Sequence, residues 1–296
     1  MKRVFENKTA IAIFVVPTIL IYFVFVILPV ILSFQYSLLD WDGIGASSFV
    51  GINNYVKLFI GNTDGFTKSI INSFILAFLC VFIQLPAALF LALAISAPKQ
   101  RGEKFFRTVY FMPSIVSAVV IAELWKKIYH PSYGLLNTLL KAAGLESLTN
   151  EWLGNTSTAL IAVFIPIVWQ YIGHYMVMMY AAIKGIPDDV FEAARIDGAN
   201  YAKTCLFLTI PIIRNILSVC TVFAIAGSLK TFNLIYVMTQ GGPLHSTDVP
   251  GTVMYETIFT KGLYGYGSAM AVFIVVECFL ITQAVQPLFR EKKNDI

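Results

Sequence analysis

Six long apolar runs constrain this chain more than anything else in it. They cover roughly residues 10–35, 70–96, 108–128, 157–183, 206–230 and 266–289, and each reaches the ~20 residues that a helix needs to cross a hydrocarbon core of about 30 Å. Inside a bilayer the backbone finds no water to bond, so only helices and closed barrels span it. Barrel strands are short and alternate apolar with polar residues, whereas these runs are continuous. A charged fraction of 13%, against about a quarter in soluble domains, agrees. The expected fold is all-α and polytopic, with six transmembrane helices in a single transmembrane domain over 1–296. The first run follows Met1-Lys-Arg, as a signal peptide's would. It exceeds a signal's ~7–15 apolar residues and no small-x-small site follows promptly, so it is expected to persist as a helix.

Basic residues predict the orientation. The N-terminal tail, 97–107, 184–214 and the C-terminal tail hold 14 of the 21 Lys and Arg in 58 residues, while the segments on the other side hold 7 in 99. The positive-inside rule then places both termini and the segment 184–205 in the cytoplasm. The basic link Pro98-Lys-Gln-Arg-Gly-Glu-Lys-Phe-Phe-Arg107 sits at a helix end, where it reads as a lipid anchor rather than a nucleic-acid site. Cys80, Cys205, Cys220 and Cys278 fall in spans or at a cytoplasmic edge, with no metal-ligand spacing, and read as small buried apolar residues.

The longest polar insert on that side, Gly185 to Tyr201, contains a short helix with both ends written in. Pro187 suits its start, Asp189 and Glu192 have capping-box spacing, and Gly198 is placed to end it in the left-handed conformation. Phe191, Ala194, Arg195 and Gly198 share a face, and small Ala193 and Ala194 would let another surface approach closely. From the residues alone, two readings stand: an interfacial helix with Phe191 in lipid, or a helix seated in a partner's cleft.

The fourth run holds Trp169, Gln170, Tyr171, His174 and Tyr175 within two turns, and such groups at membrane depth need partners or a water-filled cavity. Interhelical hydrogen bonds would answer this. So would a sugar, which stacks on aromatic faces and bonds neutral donors and acceptors. On the fifth run, helical spacing puts Ser228 and Phe232 on one face. Glu123 is spaced to pair with Lys127, one turn on. Glu277 lies inside the sixth run, either as a packing residue or as a proton site.

The run Phe191-Glu-Ala-Ala-Arg-Ile-Asp-Gly-Ala, followed by Leu208-Thr-Ile-Pro211, closely resembles the Glu-Ala-Ala loop of permease subunits of ATP-binding-cassette importers, in the form common in the carbohydrate-uptake branch. Val50-Gly-Ile-Asn-Asn-Tyr, Glu123 to Asn137 and Phe232 to Thr247 resemble maltose-type sugar permeases as well. Asn215 stands where the family often has a second proline. The resemblance implies that Phe191, Glu192, Ala193, Ala194, Arg195, Asp197 and Gly198 form a coupling helix on an ATPase subunit. It further implies that Gln170, Tyr171, His174, Ser228 and Phe232 contact sugar.

The implied partners are a second, related permease, two cytoplasmic ATP-binding subunits, an extracytoplasmic solute-binding protein and lipid, in a bacterial or archaeal inner membrane. No phosphate-binding Gly-x-x-x-x-Gly-Lys-Ser/Thr motif, nucleophile elbow or paired metal motif occurs, so the expectation is a transport subunit without cofactor, metal or nucleic acid rather than an enzyme. The rival readings are an importer of another solute, such as glycerol phosphate, and an ion-coupled carrier in which Glu277 titrates.

Overall fold

The computed structural model describes residues 8–61, 65–97 and 101–289. The basic residues of Met1-Lys-Arg, the Pro98–Gln100 part of the basic link and the C-terminal basic residues from Arg290 onward lie outside them. The chain divides into two compact units, 1–62 with 254–275, and 63–253 with 276–296.

In the first unit, helix α1 runs Lys8–Tyr22, passes through a π-helical turn at Phe23–Ile27 and continues Leu28–Tyr36. From Ile13 onward its apolar side chains are almost all exposed in this chain, as expected of a helix that is apolar all round. A short hairpin follows, with Leu39 opposite Phe49. The glycine- and asparagine-rich region after α1 is built on Asn54, whose amide donates to the carbonyls of Ser37 (2.9 Å) and Leu39 (2.8 Å). Trp41 packs between Tyr36 and Tyr264.

In the second unit α2 (Phe66–Ser96) and α6 (Ala159–Lys184) form the packed centre. Between them in sequence come α3 (Glu103–Ile115), α4 (Ala118–Ile128) and the short α5 (Leu135–Ala142). After α6 come α7 (Asp188–Ile196), α8 (Tyr201–Ile212), α9 (Arg214–Leu229) and α10 (Asn233–Thr239). Helix α11 (Pro250–Tyr255) and the last long helix, α12 (Tyr264–Val285), complete the order. Helix α6 lies against α2 and α3, α4 against α10, and α9 against α2. At the α3–α6 contact, Gly173 meets the backbone of Tyr110 and Phe111, and a β-carbon there would overlap the Tyr110 carbonyl. Since lipid tails are as apolar as leucine, such close approach, rather than apolar burial, holds membrane helices together.

Among the described residues, five helices are long and apolar enough to cross a membrane, and six if α3 and α4 count as one span. The run 108–128 is therefore not the straight helix expected of it. Helices α3 and α4 meet at 97°, because Pro113 nears the end of one helix, Val116 is extended and the Ser117 hydroxyl caps the next by accepting from the Val119 amide. The run 206–230 is likewise divided, with α8 ending at Ile212 before α9 begins. Glu123 pairs with Lys126 at 2.8 Å instead of Lys127, on an exposed surface where the i,i+3 geometry serves equally well.

Every interruption needs a donor for its freed carbonyls, and buried amides supply several. Asn137 donates to the carbonyls of Pro131 (3.1 Å) and Asn150 (3.0 Å), while Gln84 of α2 reaches the Val168 carbonyl (2.7 Å) inside unbroken α6 and ties the two helices together. Asn72 donates to the carbonyls of Ser246 (3.1 Å) and Asp248 (2.8 Å). An unpaired buried carbonyl costs roughly 1–3 kcal/mol. Asn72→Leu should therefore destabilise the chain by about 2 kcal/mol, against less than about 0.5 for the exposed Asn215→Leu. Thermal unfolding in lipid nanodiscs checks this, and equal melting temperatures for the two variants would remove Asn72 as a staple.

Candidate functional site

A cleft of about 380 Å³ opens in the second unit, and its wall includes all five residues expected to contact sugar. Helix α6 supplies Gln170, Tyr171 and His174, which follow one another over little more than one turn. Ser228 comes from the last turn of α9. Phe232 arrives differently from the sequence expectation, since it does not share a helical face with Ser228. Helix α9 ends at Leu229, the Lys230 amide closes the last turn on the Ala226 carbonyl (3.3 Å), and Phe232 adopts φ −150° and ψ −62°. That break turns Phe232 into the wall, stacked on Tyr236 at 5.1 Å.

The five side chains are not equivalent. Gln170, 2% exposed, donates to the Val116 carbonyl at 3.1 Å, which is the carbonyl freed where α3 and α4 part. Ser228 is buried and bonds back to the Ala224 carbonyl (2.8 Å). Both therefore commit a donor to the scaffold and keep acceptor capacity. Tyr171 is 41% exposed and presents its ring, and His174 is half-buried beside Tyr175, edge to face at 5.4 Å. Lys230, just past the end of α9, and Asn233, at the start of α10, also line the wall, brought there by the break between the two helices. Glu277 is buried, with one carboxylate oxygen lacking a partner among the described residues, and it lines neither this cleft nor the next.

The second cleft, of about 670 Å³, is bounded by α7 and the end of α6. Pro187 is the residue preceding α7. Lacking a side-chain acceptor, it leaves the helix without the capping box expected of Asp189 and Glu192. Asp189 instead accepts from the adjacent Val190 amide (2.9 Å), and Asp188 and Asp189 place negative charge in the first turn, where the helix dipole favours it. The other end is as expected. Gly198 has φ +76°, Ala199 donates to the Ala194 carbonyl (2.9 Å) and Gly198 to that of Arg195 (3.0 Å), which is a Schellman closure. Asn200 then caps α8 by accepting from the Lys203 amide (2.9 Å). Glu192, Ala193, Arg195, Asp197 and Gly198 are exposed, whereas Ala194 is half-buried. Phe191 packs partly on the chain's own core, and the apolar side chain standing free on α7 is Ile196, 86% exposed.

Helix α3 is pinned to the end of α6 by a charged cluster. The Tyr180 hydroxyl donates to Glu103, Lys184 lies 3.4 Å from the same carboxylate, and Arg107 and Lys184 stand over the Tyr180 ring at 5.4 and 5.7 Å. Glu103 precedes the apolar part of α3, and the Tyr180 hydrogen bond, reinforced by Lys184, holds its carboxyl below the usual range. Among the described residues no cluster of His, Cys, Asp and Glu could hold a metal.

These features define a polytopic helical membrane protein with one cleft walled by aromatic and neutral polar groups and another bounded by an exposed polar helix. Residues 58–294 match the family model of binding-protein-dependent transport system inner membrane components. A probable ABC transporter permease of Bacillus subtilis is 34% identical, covering 98% of this chain and 99% of its own. The diacetylchitobiose uptake permease of Streptomyces coelicolor is 33% identical over 92% of this chain and 79% of its own. The trehalose/maltose transport permease of Thermococcus litoralis is 30% identical over 93% and 92%. A crystal structure of a bacterial ABC transporter for the acidic polysaccharide alginate shares the fold, with TM-score 0.84, 23% identity and 99% coverage of both chains. The chain belongs to the family of binding-protein-dependent transport inner membrane components. It is a transport subunit of an ABC importer and not an enzyme.

A carboxylate whose folded pKa is lowered adds stability above its ordinary pKa, and that stability disappears as pH falls through the lowered value. Glu103→Gln should accordingly destabilise the protein at pH 7 and flatten the loss of stability expected below about pH 4.5. Unfolding temperatures from pH 3 to 7 test it, and an unchanged acid limb in the variant would sever Glu103 from the cluster's energetics.

Proposed function

We propose that this chain lines the translocation path for a sugar or oligosaccharide, and that the smaller cleft, with Gln170, Tyr171, His174, Ser228 and Phe232, is where the sugar rests. The observation that carries this reading is the convergence of those five residues, from α6 and from the α9–α10 break, on one cavity. Tyr171 and Phe232 offer ring faces for stacking, and His174 with the acceptor sides of Gln170 and Ser228 offers neutral hydrogen bonding. Relatives named for diacetylchitobiose and trehalose/maltose support the substrate class.

In this reading both termini are cytoplasmic, in a bacterial or archaeal inner membrane, and a second, different permease completes the path. Two ATP-binding subunits grip α7 through Phe191, Glu192, Ala193, Ala194, Arg195, Asp197 and Gly198. ATP-driven closure pulls on α7, which follows directly on the α6 end pinned at Glu103 and Lys184. An extracytoplasmic binding protein delivers the sugar. The turn at Gly241-Gly-Pro would meet it with Leu244 (85% exposed) and His245, both with positive φ, held from behind by Asn72 and the buried Asp248.

Tyr171→Ala and His174→Ala should each lower sugar uptake by about tenfold or more, as loss of a stacking ring or a half-buried bonding partner does, while leaving the complex assembled. Glu192→Lys with Gly198→Asp should release the ATPase from the solubilised complex while the second permease remains. Both are read by uptake in proteoliposomes and by co-purification. Unaltered uptake in the first pair would empty the cleft of its role, and an ATPase retained by the double variant would remove α7 as the docking helix.

A further inference from the structure

The same cleft carries a charge that the sugar reading does not use. Among its lining residues there is no Asp or Glu, yet Lys230 is one of them. Lys230 is the first residue past α9, exposed, and among the described residues it forms no ion pair with a carboxylate. Glu277, the intramembrane carboxylate, is not in the wall. Thr231 and Asn233, on either side of Phe232 and next to the lysine, add neutral polar groups at the same edge.

A neutral sugar gains little from a lone ammonium, which must lose some of its water as the cavity fills. A saccharide bearing an anionic group answers it with a charge-assisted hydrogen bond, roughly twice as strong as a neutral one. We propose that Lys230 makes this cleft selective for saccharides that carry an anionic group, a carboxylate or a phosphate ester, with the ring between Tyr171 and Phe232 and the anion at the α9–α10 break. This rests on the cleft being the sugar site. Lys230 is then a specificity-determining residue. Because it is solvated at the rim, its preference is modest, about two- to fivefold.

The test uses the whole transporter, with its second permease and ATPases, in nanodiscs. Matched gluco- and galacto-configured disaccharides are titrated calorimetrically with C6 as hydroxymethyl, carboxylate or phosphate, at low and high salt. The anionic members should bind about two- to fivefold more tightly than their neutral counterparts at low salt. That gap should close in Lys230→Gln and in high salt, and persist in Lys230→Arg. The carboxylate and phosphate arms tell a sugar acid from a sugar phosphate. Equal or tighter binding of the neutral sugars, or a gap that survives Lys230→Gln, overturns the assignment. If Tyr171→Ala still weakens binding of every saccharide by about tenfold or more in that case, the sugar cleft stands and only the charge reading falls. If no saccharide binds the wild type, both fall together.

Discussion

The structure depends on one constraint, that backbone broken inside a bilayer must find its hydrogen-bond partners within the protein. A chain of uninterrupted helices would meet it trivially. This chain breaks its helices repeatedly, between α3 and α4, α8 and α9, and α9 and α10, and buried Gln170 and Asn72 take up carbonyls freed where a helix stops or the chain turns. Amides suit this task because they are neutral, so their burial carries no ionic penalty, and their NH₂ can serve two carbonyls at once. Asn54, Asn72 and Asn137 each do so.

The site follows from the same constraint. The α9–α10 break brings Phe232, Lys230 and Asn233 to the wall, and the α3–α4 break is held by Gln170, itself a wall residue. Any ligand that draws on the Gln170 amide therefore acts on the joint between α3 and α4. Helix α3 in turn reaches the far end of α6 through Glu103, Tyr180 and Lys184, directly ahead of the exposed helix α7. Cleft and polar segment are thus joined through packed, hydrogen-bonded elements rather than through a flexible loop.

Much of this was legible beforehand. Apolar run length pointed to several membrane-crossing helices, because length alone answers the bilayer's thickness, and Gly198 marked the end of α7 because few other residues accept its positive φ. The candidate sugar contacts were legible as misplaced polarity. Their roles were not, since helical spacing made Ser228 and Phe232 neighbours on a helix that in fact ends between them. The expected capping box failed for a comparable reason. Pro187 and the acidic pair compete for one helix start, and the spacing of Asp189 and Glu192 cannot say which residue precedes the first turn.

The sequence by itself determined class and family: an all-helical membrane protein, through continuous apolar length, and an importer permease, through the run from Phe191 to Ala199. Only the tertiary structure decided that the 108–128 run bends by 97°, that Phe191 rests on its own core while Ile196 stands free, and that Lys230 enters a wall without carboxylates. The physical reason is that span length and motif are local properties of the chain. Where a helix breaks, and which side chains then face one another, is settled by distant groups such as Gln170 at Val116 and Asn72 at Asp248, which supply the partners a break requires.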